Sequence, residues 1–156
     1  MVDYYALPQS GPRAWPGRAA AGQLSFRLKA VTVQDELARD ICAELGDDFN
    51  SNRFVPYVMM HEFEGLLFSD CERFASAIGK TELIPKLKAI RDAFETPEEI
   101  NDSPITAPSK QIEALIPGYQ KPLSGVLAAL EIGLDTIRRE CPHFRNWVER
   151  LESWTQ

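Results

Sequence analysis

The hydrophobic and polar positions of the chain follow two different patterns. An apolar run with strand-forming side chains extends from Phe54 to Met60, and Met1–Tyr5 is typical of the end of a second strand. From Gly65 onward the pattern predicts only helices, separated by prolines and glycines. We therefore expect an α/β fold with a partial sheet and a mainly helical C-terminal half, in which residues 66–156 form a helical cover.

Capping residues and glycines indicate where the helices begin and end. Thr32 is expected to cap a helix that Gly46 ends, and Asp70 a shorter helix that Gly79 ends. Thr96 followed by a proline predicts a further helix start. The remaining predicted helices cover residues 83–94, Ser109 to Ile116, a largely buried segment from Leu123 to Leu134, and a last helix opened by Pro142.

The N-terminal region predicts a sheet that is short of strands. Residues 7–22 contain six prolines and glycines and are expected to form an irregular loop, which at this length is commonly functional. Two strands alone form a marginal sheet, so we expect a further strand upstream of Met1. The sequence then predicts a single domain over residues 1–156 that is incomplete at its N-terminus.

Composition excludes several classes of protein. The net charge of -6 argues against a broad basic face for nucleic acid. No apolar run is long enough to span a membrane or to serve as a secretory signal, so no membrane association is expected. Cys42, Cys71 and Cys141 lack the spacing of a zinc site or a redox pair and are expected to be reduced thiols of a cytoplasmic protein.

Glu62 and Glu64 directly follow the apolar strand. In an open α/β sheet, the crevice beyond the carboxyl ends of the strands gathers side chains from several strands and commonly binds ligands. Both carboxylates share one site only if the turn between them is irregular, because residues two apart on a helix point in different directions. The alternative is that they are ordinary acidic residues near a helix N-terminus, where the helix dipole favours negative charge.

Several motifs in order resemble one known family. They are residues 1–8, Arg53–Tyr57, His61–Asp70, Pro97–Asn101, Ala107–Lys110, Pro117–Tyr119 with Lys121, and Cys141–Phe144 with Trp147. In these motifs the chain resembles a bacterial domain-of-unknown-function family, the RloG-like proteins of restriction and phage-defence loci. The resemblance covers nearly the whole chain and implies a Toprim-like fold. Members of that family begin with a further strand and an acidic turn, and we expect this sequence to be without that N-terminal part.

The resemblance also implies a chemistry. Toprim-like proteins hold Mg²⁺, or Mn²⁺, with strand-end carboxylates beside a phosphodiester, which suits the preference of Mg²⁺ for carboxylate and water oxygens. By this likeness Asp3, Glu62 and Glu64 are the expected metal ligands and catalytic residues. His61 is expected either as a general base or phosphate contact or as a structural histidine.

Phosphate contacts and partners follow from the same resemblance. Lys110 and Lys121 are the candidate phosphate-binding residues, with ordinary solvated lysines as the alternative. The expected function is a metal-dependent, nuclease-like component of a bacterial defence system, acting on DNA or RNA, with a motor ATPase from the same locus as a partner.

The sequence is compatible with two other functions. The first is a non-catalytic interaction subunit that docks through an open sheet edge, or forms a homodimer across the Met1–Tyr5 strand. The second, a nucleotide hydrolase or nucleotide-binding protein, ranks last because the sequence has neither a glycine-rich phosphate loop nor a nucleophile elbow.

Overall fold

The computed structural model of the chain describes residues 1–60, 62–100 and 107–155. The chain divides into two compact units. The first contains Met1–Met60 together with Glu149–Gln156, and the second contains His61–Val148. Each unit buries apolar side chains of its own.

The first unit is built on a parallel pair of short strands. Strand β1 (Val2–Asp3) lies beside β2 (Val58–Met59), with Val2 opposite Val58 and Asp3 opposite Met59. Parallel strands require a crossover connection, and here it contains α1 (Arg18–Ala21) and α2 (Phe26–Leu45). Helix α2 packs against both α1 and β2. The expected mixed α/β class with a small sheet is thus confirmed at this coarse level.

Helix α2 is longer than the sequence predicted. It begins at Phe26, after Ser25, so Thr32 lies inside the helix and not at its cap. Its end is as predicted, because Gly46 takes a φ of 74°, a conformation that glycine adopts readily. The early start has a physical reason: Ala30 and Val33 are buried, so the first turns have their own contacts with the core.

The core of the first unit joins both strands, the loop and α2. It contains seven buried residues: Tyr4, Leu7, Ala21, Ala30, Val33, Val58 and Met60. Part of the segment predicted as irregular, residues 7–22, contributes to this core through the short helix α1. That prediction was therefore wrong for residues 18–21, where Ala21 is fully buried.

Arg18 ties the loop to β1. Its side chain is buried, with 3% of the residue exposed, and its guanidinium lies 3.8 Å from the centre of the Tyr4 ring. Nε donates to the Tyr4 carbonyl at 3.0 Å and Nη1 to the Tyr4 hydroxyl at 3.1 Å. With its amide oxygen turned toward the guanidinium, Gln9 accepts from both terminal nitrogens at 3.0 Å. The planar, multiply donating guanidinium thereby satisfies a set of acceptors that no other side chain matches.

The second unit is helical throughout its described residues. A 3₁₀ helix at Phe63–Ser69 runs through its interior and buries Leu66, Leu67 and Phe68. The α-helices that follow are α3 (Cys71–Ala77), α4 (Ile84–Arg91), α5 (Pro108–Leu115), α6 (Lys121–Ile132), α7 (Leu134–Glu140) and α8 (Pro142–Glu152), the last of which ends within the first unit's range. Short 3₁₀ turns lie at Thr81–Leu83 and Pro97–Glu99.

Local capping in the second unit follows the sequence in part. Asp70 caps α3 as predicted, because its Oδ1 accepts from the backbone nitrogens of Glu72 and Arg73 at 3.1 and 3.0 Å. The side chain of Arg73, in the first turn of α3, donates to the carbonyl of Ile132, the last residue of α6, at 3.0 Å. Helix α3 is thereby joined to α6 by packing and by a charged hydrogen bond.

Three predictions for the helices need correction. The start signalled at Thr96 gives only the 3₁₀ turn Pro97–Glu99, and Ser109 lies inside α5, which begins one residue earlier. The segment from Leu123 to Leu134 is helical up to Ile132 but is not largely buried, since several of its leucines face outward. The sequence also predicts a loop from Asn101 to Pro108, and residues 101–106 of it lie outside the described residues.

No helix among the described residues combines the length and apolar character needed to cross a bilayer.

The Arg18 contacts predict a stability effect in the first unit. Arg18→Lys keeps the charge but loses the planar fork and the stacking on Tyr4, so we expect a loss of about 1–3 kcal/mol in the free energy of unfolding. Arg13→Lys is the matched control, because Arg13 is exposed in the same loop. Urea denaturation followed by circular dichroism measures both. Equal stability of the two variants would contradict the anchoring role.

Candidate functional site

Glu62 and Glu64 lie at the start of the 3₁₀ helix that follows β2. Glu62 occupies the N-cap position with an extended backbone, and Glu64 lies in the first turn. With three residues per turn, side chains two apart point in different directions. The Glu62 side chain is accordingly partly exposed, whereas Glu64 is buried, with 6% of the residue exposed.

Glu62 binds the start of α5 and the start of α6. Its Oε2 accepts from the backbone nitrogen of Ser109 at 3.0 Å, and its Oε1 lies 3.6 Å from Nζ of Lys121. Helix α5 begins with Pro108, which has no N–H, and Ala107 at its N-cap offers no side-chain acceptor. The carboxylate of Glu62 thus replaces the missing cap from 47 residues away in sequence.

Burial raises the pKa of the Glu64 carboxyl above its usual 4.5. A hydrogen bond from its own backbone N–H and the positive charge of Lys121 act in the opposite direction, and the negative charges of Glu62 and Glu113 add to the rise. Desolvation is the largest of these effects. Glu64 is therefore a carboxyl group that holds its proton more strongly than an exposed glutamate does.

The Tyr119 hydroxyl is buried beside Glu64 and has no hydrogen-bond partner among the described residues. Burial, and then the charge of Glu64, raise the pKa of Tyr119 to about 12, so the hydroxyl keeps its proton. Buried polar atoms are nearly always paired, and an unpaired one costs about 1–3 kcal/mol. An unpaired hydroxyl next to a carboxyl with a raised pKa is the kind of local cost that marks functional sites.

Gly125 of α6 leaves room for this arrangement. A Cβ atom at this position would lie 3.3 Å from Cε1 of Phe63 and 3.5 Å from the Tyr119 hydroxyl oxygen. The absence of a side chain therefore lets the Phe63 ring and the Tyr119 hydroxyl approach the helix closely.

The structure brings together some of the residues predicted from the sequence. Lys121 and Glu62 form an ion pair, and Glu64 lies near enough to both for their charges to act on its pKa. Lys110 is exposed in the first turn of α5, the helix that Glu62 caps. In the first unit, Asp3 Oδ1 accepts from the Tyr5 backbone nitrogen at 2.8 Å and caps the 3₁₀ turn Tyr4–Ala6. His61 lies outside the described residues.

Sequence reasoning missed three members of this cluster. Ser109 was expected to cap its own helix, Tyr119 was noted only as a neighbour of Lys121, and Gly125 carried no signal. The proline and glycine that precede Tyr119 indicate a turn, but nothing local indicates that this turn faces the 3₁₀ helix. These contacts join residues distant in sequence, which periodicity does not reveal.

Glu98 makes a second contact of the same kind elsewhere in the unit. Its Oε2 and Oε1 accept from the backbone nitrogens of His143 and Phe144 at 2.9 and 2.8 Å, at the start of α8. Burial raises the pKa of Glu98, while these two hydrogen bonds act to lower it. Like α5, α8 begins with a proline, Pro142. Glu98 therefore caps a helix that begins with proline, as Glu62 does. Unlike Glu62, it forms no ion pair with a lysine of α6 among the described residues.

A divalent cation such as Mg²⁺ needs oxygen ligands, and Glu62 is the candidate for supplying one. Within residues 1–60, 62–100 and 107–155, no three His, Cys, Asp or Glu side chains form a group that could hold a metal ion. Mg²⁺ commonly uses only one or two carboxylates and completes its shell with water and substrate phosphates. Glu62 fits this need, because its side chain is partly exposed and each carboxylate oxygen keeps a free lone pair.

The raised pKa of Glu64 predicts a pH dependence of stability. The folded state holds the Glu64 proton more tightly than the unfolded chain does. The resulting stability is fully present below pH 4.5 and is lost as the pH rises through the raised folded pKa. Glu64→Gln removes this dependence, so the variant should gain stability relative to the wild type as the pH rises. Urea denaturation between pH 4.5 and 8 measures the difference.

Glu44→Gln is the control for this comparison, because Glu44 is exposed on α2. It should follow the wild type at every pH. A Glu64→Gln difference that does not change with pH would contradict the raised pKa.

Comparison with known proteins places the chain in a family but gives no named relative. Neither the curated proteins nor the solved structures include a match. One family model, described as Domain of unknown function (DUF4276), matches residues 1–152. Because the match covers nearly the whole chain, the protein belongs to the DUF4276 family.

Proposed function

We propose that the protein is a metal-dependent, nuclease-like enzyme that cleaves phosphodiester bonds, with a Toprim-like fold and a role in bacterial defence. One observation carries the chemical part of this proposal. The Glu62–Lys121 ion pair lies beside Glu64, a buried carboxyl with a raised pKa, and Tyr119, whose buried hydroxyl is unpaired within the described chain. The motifs shared with the RloG-like proteins support the defence role.

Lys121 and Glu62 carry the two charges that the proposed reaction uses. The positive charge of Lys121 is for the phosphate, and the negative charge of Glu62 is for the metal ion. Their ion pair spans 3.6 Å between partly exposed side chains, and such pairs contribute only about 0–1 kcal/mol, so it opens at little cost. The Lys121 ammonium then binds a phosphate oxygen as a point charge. Lys110, in the first turn of α5, adds a second positive charge near the Glu62 carboxylate.

Glu64 supplies a proton, and Tyr119 supplies a hydrogen bond. Cleavage by water forms one P–O bond and breaks another, and the departing oxygen needs a proton. Burial disfavours the charged form of Glu64, so the group holds a proton more strongly than an exposed glutamate does, which suits it to be the general acid. Beside Glu64, the Tyr119 hydroxyl is a donor with no acceptor among the described residues, which suits it to hydrogen-bond a substrate oxygen.

The metal in this proposal is Mg²⁺ or Mn²⁺. Glu62 would hold it, and Asp3 keeps its predicted role as a metal ligand. Glu64 was also predicted as a ligand, but it is proposed here as the general acid instead, because a carboxyl that keeps its proton is a poor ligand. Asp3 uses only one of its two carboxylate oxygens to cap its own turn. When bound, such an ion neutralises charge on the phosphate and activates water. His61 keeps its proposed role as a general base or phosphate contact.

The proposal predicts a nuclease activity with a defined mutational pattern. The purified chain should cleave single-stranded or double-stranded DNA or RNA when Mg²⁺ or Mn²⁺ is present, and EDTA should abolish cleavage. Glu64→Gln keeps the shape but loses the acid, so the cleavage rate should fall about 100-fold or more. Glu62→Gln and Lys121→Met should reduce cleavage as well, through loss of the metal ligand and of the phosphate contact.

Glu98→Gln is the matched control for Glu62→Gln. Both glutamates accept from the start of a helix that begins with proline, but Glu98 forms no ion pair with Lys121. The control should retain activity if its fold, checked by circular dichroism, survives. A wild-type chain inert with both metals, or a Glu62→Gln variant as active as the wild type, would overturn the proposal.

A second candidate function rests on the sheet of the first unit. In the described chain the sheet contains only β1 and β2, so β1 has an outer edge that no other strand covers. An uncovered edge is a template for pairing with another chain, and we propose as the alternative a non-catalytic subunit that docks there on a partner such as a motor ATPase. The nuclease assay separates the two functions, because docking at the sheet requires neither Glu62 nor Glu64.

A further inference from the structure

Helix α6 has apolar side chains on two opposite faces. One face is buried within the second unit and includes Gly125, Ala128 and Ile132. The opposite face presents four residues at the spacing of a helix, here called the outer stripe: Leu123, Val126, Leu127 and Leu130.

The outer stripe is well exposed. Leu123, Val126, Leu127 and Leu130 are 59%, 54%, 46% and 74% exposed, respectively. A surface helix normally places polar residues opposite its buried face, and a helix that is apolar on all sides is normally covered on all sides. A contiguous apolar patch of this kind marks an interaction surface more often than an accident of composition.

We infer that the outer stripe is a dimer interface, at which α6 packs antiparallel against α6 of a second copy of this chain. The stripe is symmetric about its own centre, so two copies can pair it with itself about a two-fold axis. With the axis between Val126 and Leu127, Val126 lies opposite Leu127 of the second copy. Leu123 then lies opposite Leu130 of the second copy, so every stripe residue meets an apolar partner.

The charged residues of α6 are compatible with an apolar partner at the outer stripe. The stripe itself contains no charged residue, and Lys121 lies on the opposite side of the helix, paired with Glu62 of its own chain. Glu131 flanks the stripe and lies opposite Pro122 of the second copy in the antiparallel arrangement, so the two acidic side chains do not face each other.

The area of the stripe sets the strength of the expected dimer. Its four side chains together expose roughly 400 Å², a typical size for a functional patch. Two stripes and their flanking residues then bury about 1,000 Å² in total, which is the lower end for a specific interface. The dimer is therefore weak and reversible. It rests on α6 alone and is independent of the proposed nuclease chemistry.

The first test is the oligomeric state of the full chain, measured by sedimentation equilibrium from about 1 to 200 μM, the range suited to a small interface. The wild type should shift from monomer to dimer with concentration, and Leu127→Glu should remain monomeric. Leu45→Glu is the matched control, because Leu45 is 56% exposed at the end of α2. It should dimerise like the wild type.

A monomeric wild type over the whole range, or a Leu127→Glu variant that still dimerises, would overturn the inference. The second of these results would assign the dimer to another surface, such as the sheet edge of the first unit. Circular dichroism shows whether Leu127→Glu keeps its fold, and Leu130→Gln provides a milder substitution if it does not.

The second test determines the orientation of the helices. In a Cys42→Ser background, Leu123→Cys and Leu130→Cys proteins are mixed and oxidised. Antiparallel packing brings position 123 of one copy beside position 130 of the other, so the mixed disulfide should dominate. Two copies of position 123 lie roughly 10 Å apart along the axis, too far for a disulfide. Predominant disulfides between identical variants would contradict antiparallel packing, and absence of any cross-link would contradict the interface.

Discussion

The second unit depends on carboxylates that bind the first N–H groups of helices beginning with proline. Such a helix start lacks one N–H, and at α5 the N-cap residue, Ala107, offers no side-chain acceptor for the next. Glu62 supplies the acceptor for α5, and Glu98 does so for α8. These hydrogen bonds join segments that are distant in sequence, so the start of each helix is fixed in space by a glutamate from another element.

The same constraint builds the candidate site. By binding Ser109 and Lys121 together, Glu62 holds the start of α5 and the start of α6 against the 3₁₀ helix that contains Glu64. The turn between α5 and α6 carries Tyr119, whose hydroxyl is buried where the charge of Glu64 raises its pKa. The cost is a carboxyl that resists ionisation and a hydroxyl that has no partner in the described part of the chain. Natural sequences accept such local costs mainly at functional sites, and this is why the proposed chemistry centres here.

Local features of the fold were predictable from the sequence, and long-range ones were not. Gly46 and Asp70 were placed correctly because a positive φ and an N-cap depend on neighbouring residues alone. The start of α2 was misplaced because Ser25, at the N-cap, makes no side-chain cap hydrogen bond and buried Ala30 stabilises the first turns instead. Glu98 was expected to help start its own helix but caps α8, since its partners lie more than 40 residues away. For α6, apolar composition predicted burial, but composition does not reveal which face a neighbouring element covers.

The pKa of Glu64 tests the central claim most directly. Carbon-13 NMR of glutamate side-chain carboxyls, with Glu64 assigned through the Glu64→Gln spectrum, follows its titration in the intact protein. We expect a pKa clearly above the usual 4.5, because the carboxyl is buried beside Tyr119 and its burial outweighs the charge of Lys121. A Glu64 carboxyl that titrates at or below 4.5 would mean that it is solvated or fully paired, and the proposed general acid would be contradicted.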